Sequence, residues 1–230
     1  MRKNALLFAA ALIVTLLFAV YQRRTAPTYP LKGETGIGGS PVRYDFIRSQ
    51  DVGKEALVRV EAEDGSIEGT LAFRRYPTSD PFETREMRRE GRFLVSEMPS
   101  QPPAGKLEYQ VRLAGNGAVL VVPEEPAVIR FKGSVPPAVL VPHIILIFLG
   151  RLFAVKAALD SLTRREPLAD SVVAFAMIMT GGMILGPVVQ KYAFGAFWTG
   201  YPFGGDWTDN KTAAAALAWL IALVAMRAKE

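Results

Sequence analysis

Cysteine is absent from this 230-residue chain, and histidine occurs only once, at His143. Without cysteine there is no disulfide, thiolate metal site or cysteine nucleophile. With a single histidine besides, a conventional protein-ligated transition-metal site lacks its usual ligands. The chain also has no Ser/His/Asp constellation and no phosphate-cradling glycine loop. Gly36-Ile37-Gly38-Gly39 has neither the spacing nor the preceding strand that nucleotide binding needs. No catalytic residue, metal or cofactor is expected on these grounds.

A charge excess of one sign is missing from the middle of the chain. The formal net charge is +5, yet residues 22–135 hold 17 Lys/Arg against 16 Asp/Glu. The basic excess lies in short stretches beside apolar runs: Arg2/Lys3, Arg151/Lys156/Arg164/Arg165 and Arg227/Lys229. That distribution is a topology signal, and nucleic acid is not an expected partner.

What the chain has in quantity is apolar sequence, concentrated in Ala5–Tyr21, Pro137–Val155, Ser171–Val189 and Ala213–Met226. Each is near the ~20 residues that cross a bilayer as a helix. The last is short, and Lys211 and Thr212 lengthen it, with Lys211 snorkelling outward. The first could be a signal peptide, but Ala19-Val20-Tyr21-Gln22-Arg23-Arg24 offers no small-x-small cleavage site, so residues 1–24 are expected to stay as an anchor. The basic clusters put both termini and the Arg164-Arg165 turn on the cytoplasmic side. Residues 25–134 and 190–211 then face the periplasm or the exterior. Arg23 and Arg24 run against this rule, which weakens before a long exported domain.

Residues 25–40, with two prolines and four glycines, read as a linker. From Pro41 to Lys132 the period is two. Leu107, Tyr109, Val111 and Leu113 alternate with Lys106, Glu108, Gln110 and Arg112, the pattern of a half-buried antiparallel strand. Asp64-Gly65 and Asn116-Gly117 are hairpin signals. Further strands are expected over 42–48, 56–62, 82–88, 92–97, 118–122 and 127–132. Seven or eight short strands in about ninety residues imply a two-sheet sandwich. The run Pro103 to Leu113, a hairpin, and then Ala127 to Gly133 resemble the closing strands of fibronectin type III and immunoglobulin-like modules, with Tyr109 the best single residue. Lack of a cysteine pair leans the resemblance toward the fibronectin type. It implies contact with another macromolecule, because such folds host many functions. The expected architecture is thus four transmembrane helices, with an exported all-β sandwich (residues 41–134) between helices 1 and 2 and a three-helix membrane domain over 135–230.

Four features carry candidate chemistry. His143 is placed about ~9 Å inside the outer end of the second helix, at ~1.5 Å per residue. It is either a haem ligand or proton carrier, or a neutral imidazole bonded to a neighbouring helix carbonyl. Gly182 and Gly186, four apart, are expected to let another helix approach. Asp206 and Asp209, with Lys191 and Lys211 nearby, could hold a cation or exchange protons. The structural alternative is a helix cap at Asp209 or Thr208 and a glycine turn fixed by Asp206.

The fourth is the stretch from Gln190 to Thr212, which carries Tyr192, Phe194, Phe197, Trp198, Tyr201, Phe203 and Trp207. Such rings suit a membrane interface, where one end is dry and the other wet. Phe194-Gly195-Ala196-Phe197-Trp198, followed by Asp206, Lys211 and Thr212, is similar to the tryptophan-rich exported segments of haem-handling proteins in cytochrome c maturation. Those segments work with a pair of histidines; this chain has one. The similarity implies haem handling; in the wider reading of this outer face, haem or a quinone is held by His143, Tyr192, Trp198, Tyr201 and Trp207.

The expected function is non-catalytic: an outward-facing docking or scaffold subunit of an envelope complex, with membrane lipid, other envelope proteins and a second copy of the chain as partners. A haem- or quinone-handling protein is the alternative. A small transporter component comes third, because the apolar segments carry little charge to line a path.

Overall fold

The computed structural model describes residues 2–204 and 207–228. The chain divides into two compact units, residues 25–134 and residues 1–24 with 135–230.

The first unit is built from ten strands: β1 (Leu31–Ile37), β2 (Ser40–Phe46), β3 (Ser49–Asp51), β4 (Ala56–Ala62), β5 (Glu68–Arg75), β6 (Glu83–Glu86), β7 (Arg88–Glu90), β8 (Phe93–Met98), β9 (Lys106–Gly115) and β10 (Ala118–Lys132). They form two five-stranded sheets, ordered β1-β2-β4-β8-β7 and β3-β10-β9-β5-β6. The alternation read from the sequence supplies the inner faces: Val58 and Val60 from one sheet, Leu71, Phe73, Tyr109 and Val111 from the other, all buried in one hydrophobic cluster. A period of two gives each strand one dry face and one wet face, so the two sheets share a single core.

Four local expectations need correction. The one strand expected over 82–88 is two, β6 and β7, which belong to different sheets, because the chain crosses between the sheets at Met87. Residues 25–40 are not all linker, because β1 occupies 31–37 and pairs antiparallel with β2. Gly33 is in that strand for a packing reason: a Cβ there would run into the ring of Tyr44. Asp64-Gly65 does not turn a hairpin, since β4 and β5 lie in different sheets and the dipeptide crosses between them. Asn116-Gly117 does make one: both residues have positive φ (52° and 72°) and Gly115 pairs with Ala118. Positive φ at both central residues is the tight type I′ turn whose twist matches its strands. Finally, 118–122 and 127–132 are one strand, broken only by a register shift between Val122 and Ala127 at Pro123-Glu124-Glu125-Pro126.

The second unit is helical: α1 (Arg2–Thr25), α2 (Pro137–Leu162), α3 (Leu168–Met177), a π-helical segment (Ile178–Leu185), α4 (Gly186–Phe194) and α5 (Trp207–Arg227). Leu168–Phe194 is one continuous 27-residue span of helix. Among the described residues, four helices are thus long and apolar enough to cross a membrane. α2 packs on α3 and on the π segment, and α5 packs on both of these as well. α1 meets α2 through Phe8 edge-on to Phe153 and through Arg151, which donates to Gln22 Oε1 at 3.0 Å.

The π segment has a local cause. Pro187 has no N–H and in a regular α-helix would press on the carbonyl of Met183. Wider i→i+5 turns just before it move those carbonyls aside, and Gly181-Gly182 adapts at little steric cost.

Candidate functional site

The aromatic stretch is shorter as a loop than its composition suggests. α4 continues through Tyr192 to Phe194, where Gly195 stops it in the left-handed conformation (φ 84°). α5 already begins at Trp207, which leaves 195–206 as the connection. Residues 205 and 206, hence Asp206, lie outside the described residues.

A hydrogen-bonded scaffold holds this connection. Asp209 sits in the first turn of α5, inside the helix and not before it, and its Oδ2 accepts the backbone N–H groups of Thr199 (2.8 Å) and Gly200 (3.1 Å). Gln190 on α4 donates to Thr199 Oγ1, and Lys191 Nζ donates to Gly195 O at 2.8 Å. Gly200 is required here, because a Cβ would stand 2.9 Å from Trp198 Nε1 and 3.0 Å from Asp209 Cβ. The chain therefore brings Gln190, Thr199, Gly200 and Asp209 together as structure. The Oδ2 atom of Asp209 is thus occupied by two backbone N–H groups of the connection.

The rings of this stretch do not close on one another. Tyr201, Phe203 and Trp207 are 77 %, 83 % and 70 % exposed, and Tyr192 and Phe197 are also exposed. Trp198 is half-buried, with its indole N–H directed to Tyr201 O at 3.4 Å. Lys211 is exposed on α5. An array of outward rings is what an interfacial belt needs.

His143 is tied elsewhere. It is half-buried, and its Nδ1 lies 2.8 Å from Gly181 O in the π segment. A carbonyl only accepts, so Nδ1 carries the proton in this contact, and the contact does not use Nε2. The carbonyl-bonded arrangement foreseen for His143 is the one present, and it leaves one ring nitrogen uncommitted.

The Gly182/Gly186 spacing does not act as one packing motif. A Cβ on Gly181 would meet Leu146 Cβ of α2 at 2.7 Å, and one on Gly182 would meet Thr212 Cγ2 of α5 at the same distance. At Gly186 the nearest atoms are 3.8 Å and 3.9 Å away, ordinary contacts. Gly182 lies within the π segment and Gly186 begins α4, and only the first has a neighbouring helix at close range.

One charged cluster escaped the reading of the sequence. Lys156, 1 % exposed, pairs with Asp160, 2 % exposed, and with Asp170 of α3 at 3.1 Å. Arg165 Nε approaches Asp160 Oδ1 at 3.2 Å, and the Phe8 ring of α1 lies 4.9 Å from Lys156 Nζ. The i,i+4 spacing of Lys156 and Asp160 was a legible signal; the contribution of Asp170 depends on how α3 returns. The turn itself is a Schellman motif, in which Arg164 (φ 55°) is left-handed, Arg164 N–H donates to Ser161 O and Arg165 N–H to Asp160 O. The cluster closes the α2–α3 turn with two cations against two anions.

In the two-sheet unit the most perturbed acid is Asp64. Its carboxylate accepts from Ser66 N–H and Oγ, Asn116 Nδ2 and Ser40 Oγ, at 2.7 to 2.9 Å. These donors, Ser66 and Asn116 foremost, hold its pKa well below the usual carboxylate range. It ties the β1–β2 turn, the β4–β5 crossover and the β9–β10 hairpin together. Tyr109, fully buried, donates to Ile47 O at 2.8 Å, and burial pushes its phenol pKa up.

Among the described residues no group of three His, Cys, Asp or Glu side chains is placed to hold a metal ion. A scan against protein-family models and a search of curated proteins both return no match for this chain.

Proposed function

We propose that this chain is an integral membrane protein whose exported two-sheet unit docks other components of a cell-envelope complex. The observation that carries this reading is the exposure of the four apolar helices: only 6 % to 17 % of their most apolar windows is buried inside the molecule. Helices of a water-soluble protein bury their apolar stripe, whereas helices apolar all round need lipid as their solvent. The basic clusters at Arg2/Lys3, Arg164/Arg165 and Arg227/Lys229 favour cytoplasmic termini, with residues 25–134 and 190–211 on the outer side. The exposed rings of Tyr201, Phe203 and Trp207 then serve as an outer interfacial belt.

The strand order supports an immunoglobulin-like sandwich for the exported unit. β2-β4-β8-β7 matches an A-B-E-D sheet, and β10-β9-β5-β6 matches G-F-C with one added edge strand. A separate D-position strand, β7, shifts the resemblance from the fibronectin type toward the immunoglobulin type. Such modules present surfaces more often than they do chemistry.

Because the chain has no cysteine of its own, single-cysteine variants report topology cleanly. Glu125→Cys should react with a membrane-impermeant maleimide on intact cells, and Glu166→Cys only after lysis. The reverse pattern would overturn the orientation. For docking, affinity purification of the full chain should recover envelope proteins that a variant lacking residues 26–134 does not. Equal recovery by both would sink the docking role.

A second reading rests on the free Nε2 of His143, the nitrogen a metal-bound imidazole uses while its other N–H is held by a carbonyl. In that reading His143 and the loop aromatics hold haem, or a quinone. An absorbance spectrum of protein purified in mild detergent decides for haem: a colourless preparation, unchanged on reduction, removes it. A lipid-extract assay decides for quinone.

A further inference from the structure

The two outer faces of the exported unit differ in how they treat their charges. On the β1-β2-β4-β8-β7 sheet the charges pair within the face: Lys32 with Asp45, Arg43 with Glu34, Arg92 with Glu61, and Arg88 with Glu90 and Glu97. Arg59 of the same face has no ion pair but lies over the Phe93 ring at 4.3 Å, so it too is engaged within the face. The outer face of the other sheet is different. A shallow concavity there is lined by Glu68, Thr70, Ala72, Thr84, Arg112 and Ala114, and Val119 and Val121 stand exposed beside it, at 58 % and 43 %. Among the described residues, Arg112, Glu68 and Glu86 have no ion pair within the chain, though all three are exposed.

Register fixes the geometry of Glu86 and Arg112. Glu68 lies on β5 itself, two residues before Thr70, at the end of the row of small residues. There a twofold contact along β5 would set it against its own copy and weaken the contact. Thr70 pairs with Glu86 on one side and with Arg112 on the other, and Arg112 pairs in turn with Val121. One cross-strand row therefore reads Glu86, Thr70, Arg112, Val121, with the small Thr70 midway between an anion and a cation. Neighbouring strands are ~4.8 Å apart, so the backbones of Glu86 and Arg112 stand ~10 Å from each other across Thr70, and the two side chains form no ion pair. The next outward position of β5, Ala72, is small too, and pairs with Thr84 and Gln110.

We infer that this face binds the same face of a second copy of the chain, about a twofold axis parallel to β5 over Thr70 and Ala72. The inference rests on the docking reading and names its partner. Such an axis sends the Arg112 position of one copy over the Glu86 position of the other, and does so twice, the reciprocity of an isologous contact. Thr70 and Ala72 lie on the axis, where small side chains let two sheets come close. The free edge of β10 is a poorer candidate. Pro123, Glu124, Glu125 and Pro126 interrupt it, and prolines, charges and bulges on an edge oppose strand addition. Four strands by three rows cover roughly 400 Å² per copy, about half of what each partner of a standard soluble interface buries. The contact is thus weak in solution and relies on anchoring in a common membrane to raise the effective concentration.

Crosslinking in native membranes tests it, using full-length single-cysteine variants of the cysteine-free chain. Thr70→Cys and Ala72→Cys should each give a disulfide-linked pair of copies on mild oxidation, and Arg43→Cys, on the opposite outer face, should not. Adding Arg112→Glu to Thr70→Cys should cut the yield by roughly fivefold or more, and Arg112→Glu with Glu86→Arg should restore it, because the swap re-forms both pairs. Equal yields at positions 43 and 70, or a loss that the swap does not restore, would overturn the proposal. A product that joins position 70 to a different protein would overturn the second copy as partner and leave the docking reading standing. If a bifunctional thiol crosslinker captures neither a second copy nor any other protein at 70 and 72, this face fails for both.

Discussion

Single residues in this protein hold together what the backbone alone would leave loose, and Asp64, near the surface, and Lys156, fully buried, both show it. Asp64 sits among neutral donors at the end of the two-sheet unit, so its carboxylate is favoured as the anion in the fold. A folded pKa below the unfolded one gives stability that is present above the ordinary carboxylate pKa of ~3.9 and fades as pH falls below it. Asp64→Ala should therefore lower the melting temperature of the two-sheet unit at pH 7, with a gap to the parent that narrows below pH ~4 as Asp64 of the unfolded parent takes up its proton. A gap that stays constant down to pH ~2 would show that Asp64 acts only through packing. Lys156 is the opposite case, a buried cation shared by two carboxylates. Lys156→Met leaves Asp160 and Asp170 without their common counter-ion and should cost about 3 kcal/mol or more in a detergent-unfolding assay. Lys156→Met with Asp160→Asn and Asp170→Asn should recover most of that loss. The first residue was visible only as half of an Asp-Gly dipeptide. Its partners Ser40 and Asn116 are 24 and 52 residues away, and no local pattern points to them.

At the scale of elements, hydrophobic period was a sound guide and spacing motifs were not. β9 was legible from its alternation alone, because each inward residue faces one shared core. The Asp64-Gly65 signal misled, since turn propensity does not say which sheet the next strand will join. The glycine motif of the third span misled because spacing alone does not say which glycine a neighbouring helix meets: Gly181 and Gly182 have close neighbours and Gly186 has ordinary contacts. A direct comparison follows: Gly181→Ala and Gly182→Ala should each destabilise the helical unit by about 1–3 kcal/mol, as added atoms in a packed core do. Gly186→Ala should be nearly neutral, because its Cβ would find ordinary contacts. Equal losses at all three sites in a thermal-shift assay would argue against the π segment. Likewise, the stretch from Gln190 to Thr212 was legible as aromatic-rich and not as half helix. Gly195 ends α4 where several non-helical residues already seemed to have ended it.

On the scale of the whole molecule, the core of the two-sheet unit is drawn entirely from residues 31–131. A fragment of residues 25–134 should thus fold alone, with a cooperative thermal transition and a β-type circular dichroism spectrum, and remain soluble without detergent. Aggregation of the fragment, or a non-cooperative melt, would show that its core needs the helical unit. The amino-acid sequence by itself determined four long apolar helices and a set of strands with one wet face. Composition and period fix how much surface each segment must hide and in what direction, and both are local properties. Tertiary structure decided the rest: which strands share a sheet, that β1 joins one, that Asp64 bridges three loops and that Lys156 finds Asp170. It also set Arg112 and Glu86 on either side of Thr70, with no ion pair between them. These depend on register and on the return path of the chain, where contacts between distant residues, and not the preferences of neighbours, set the energy.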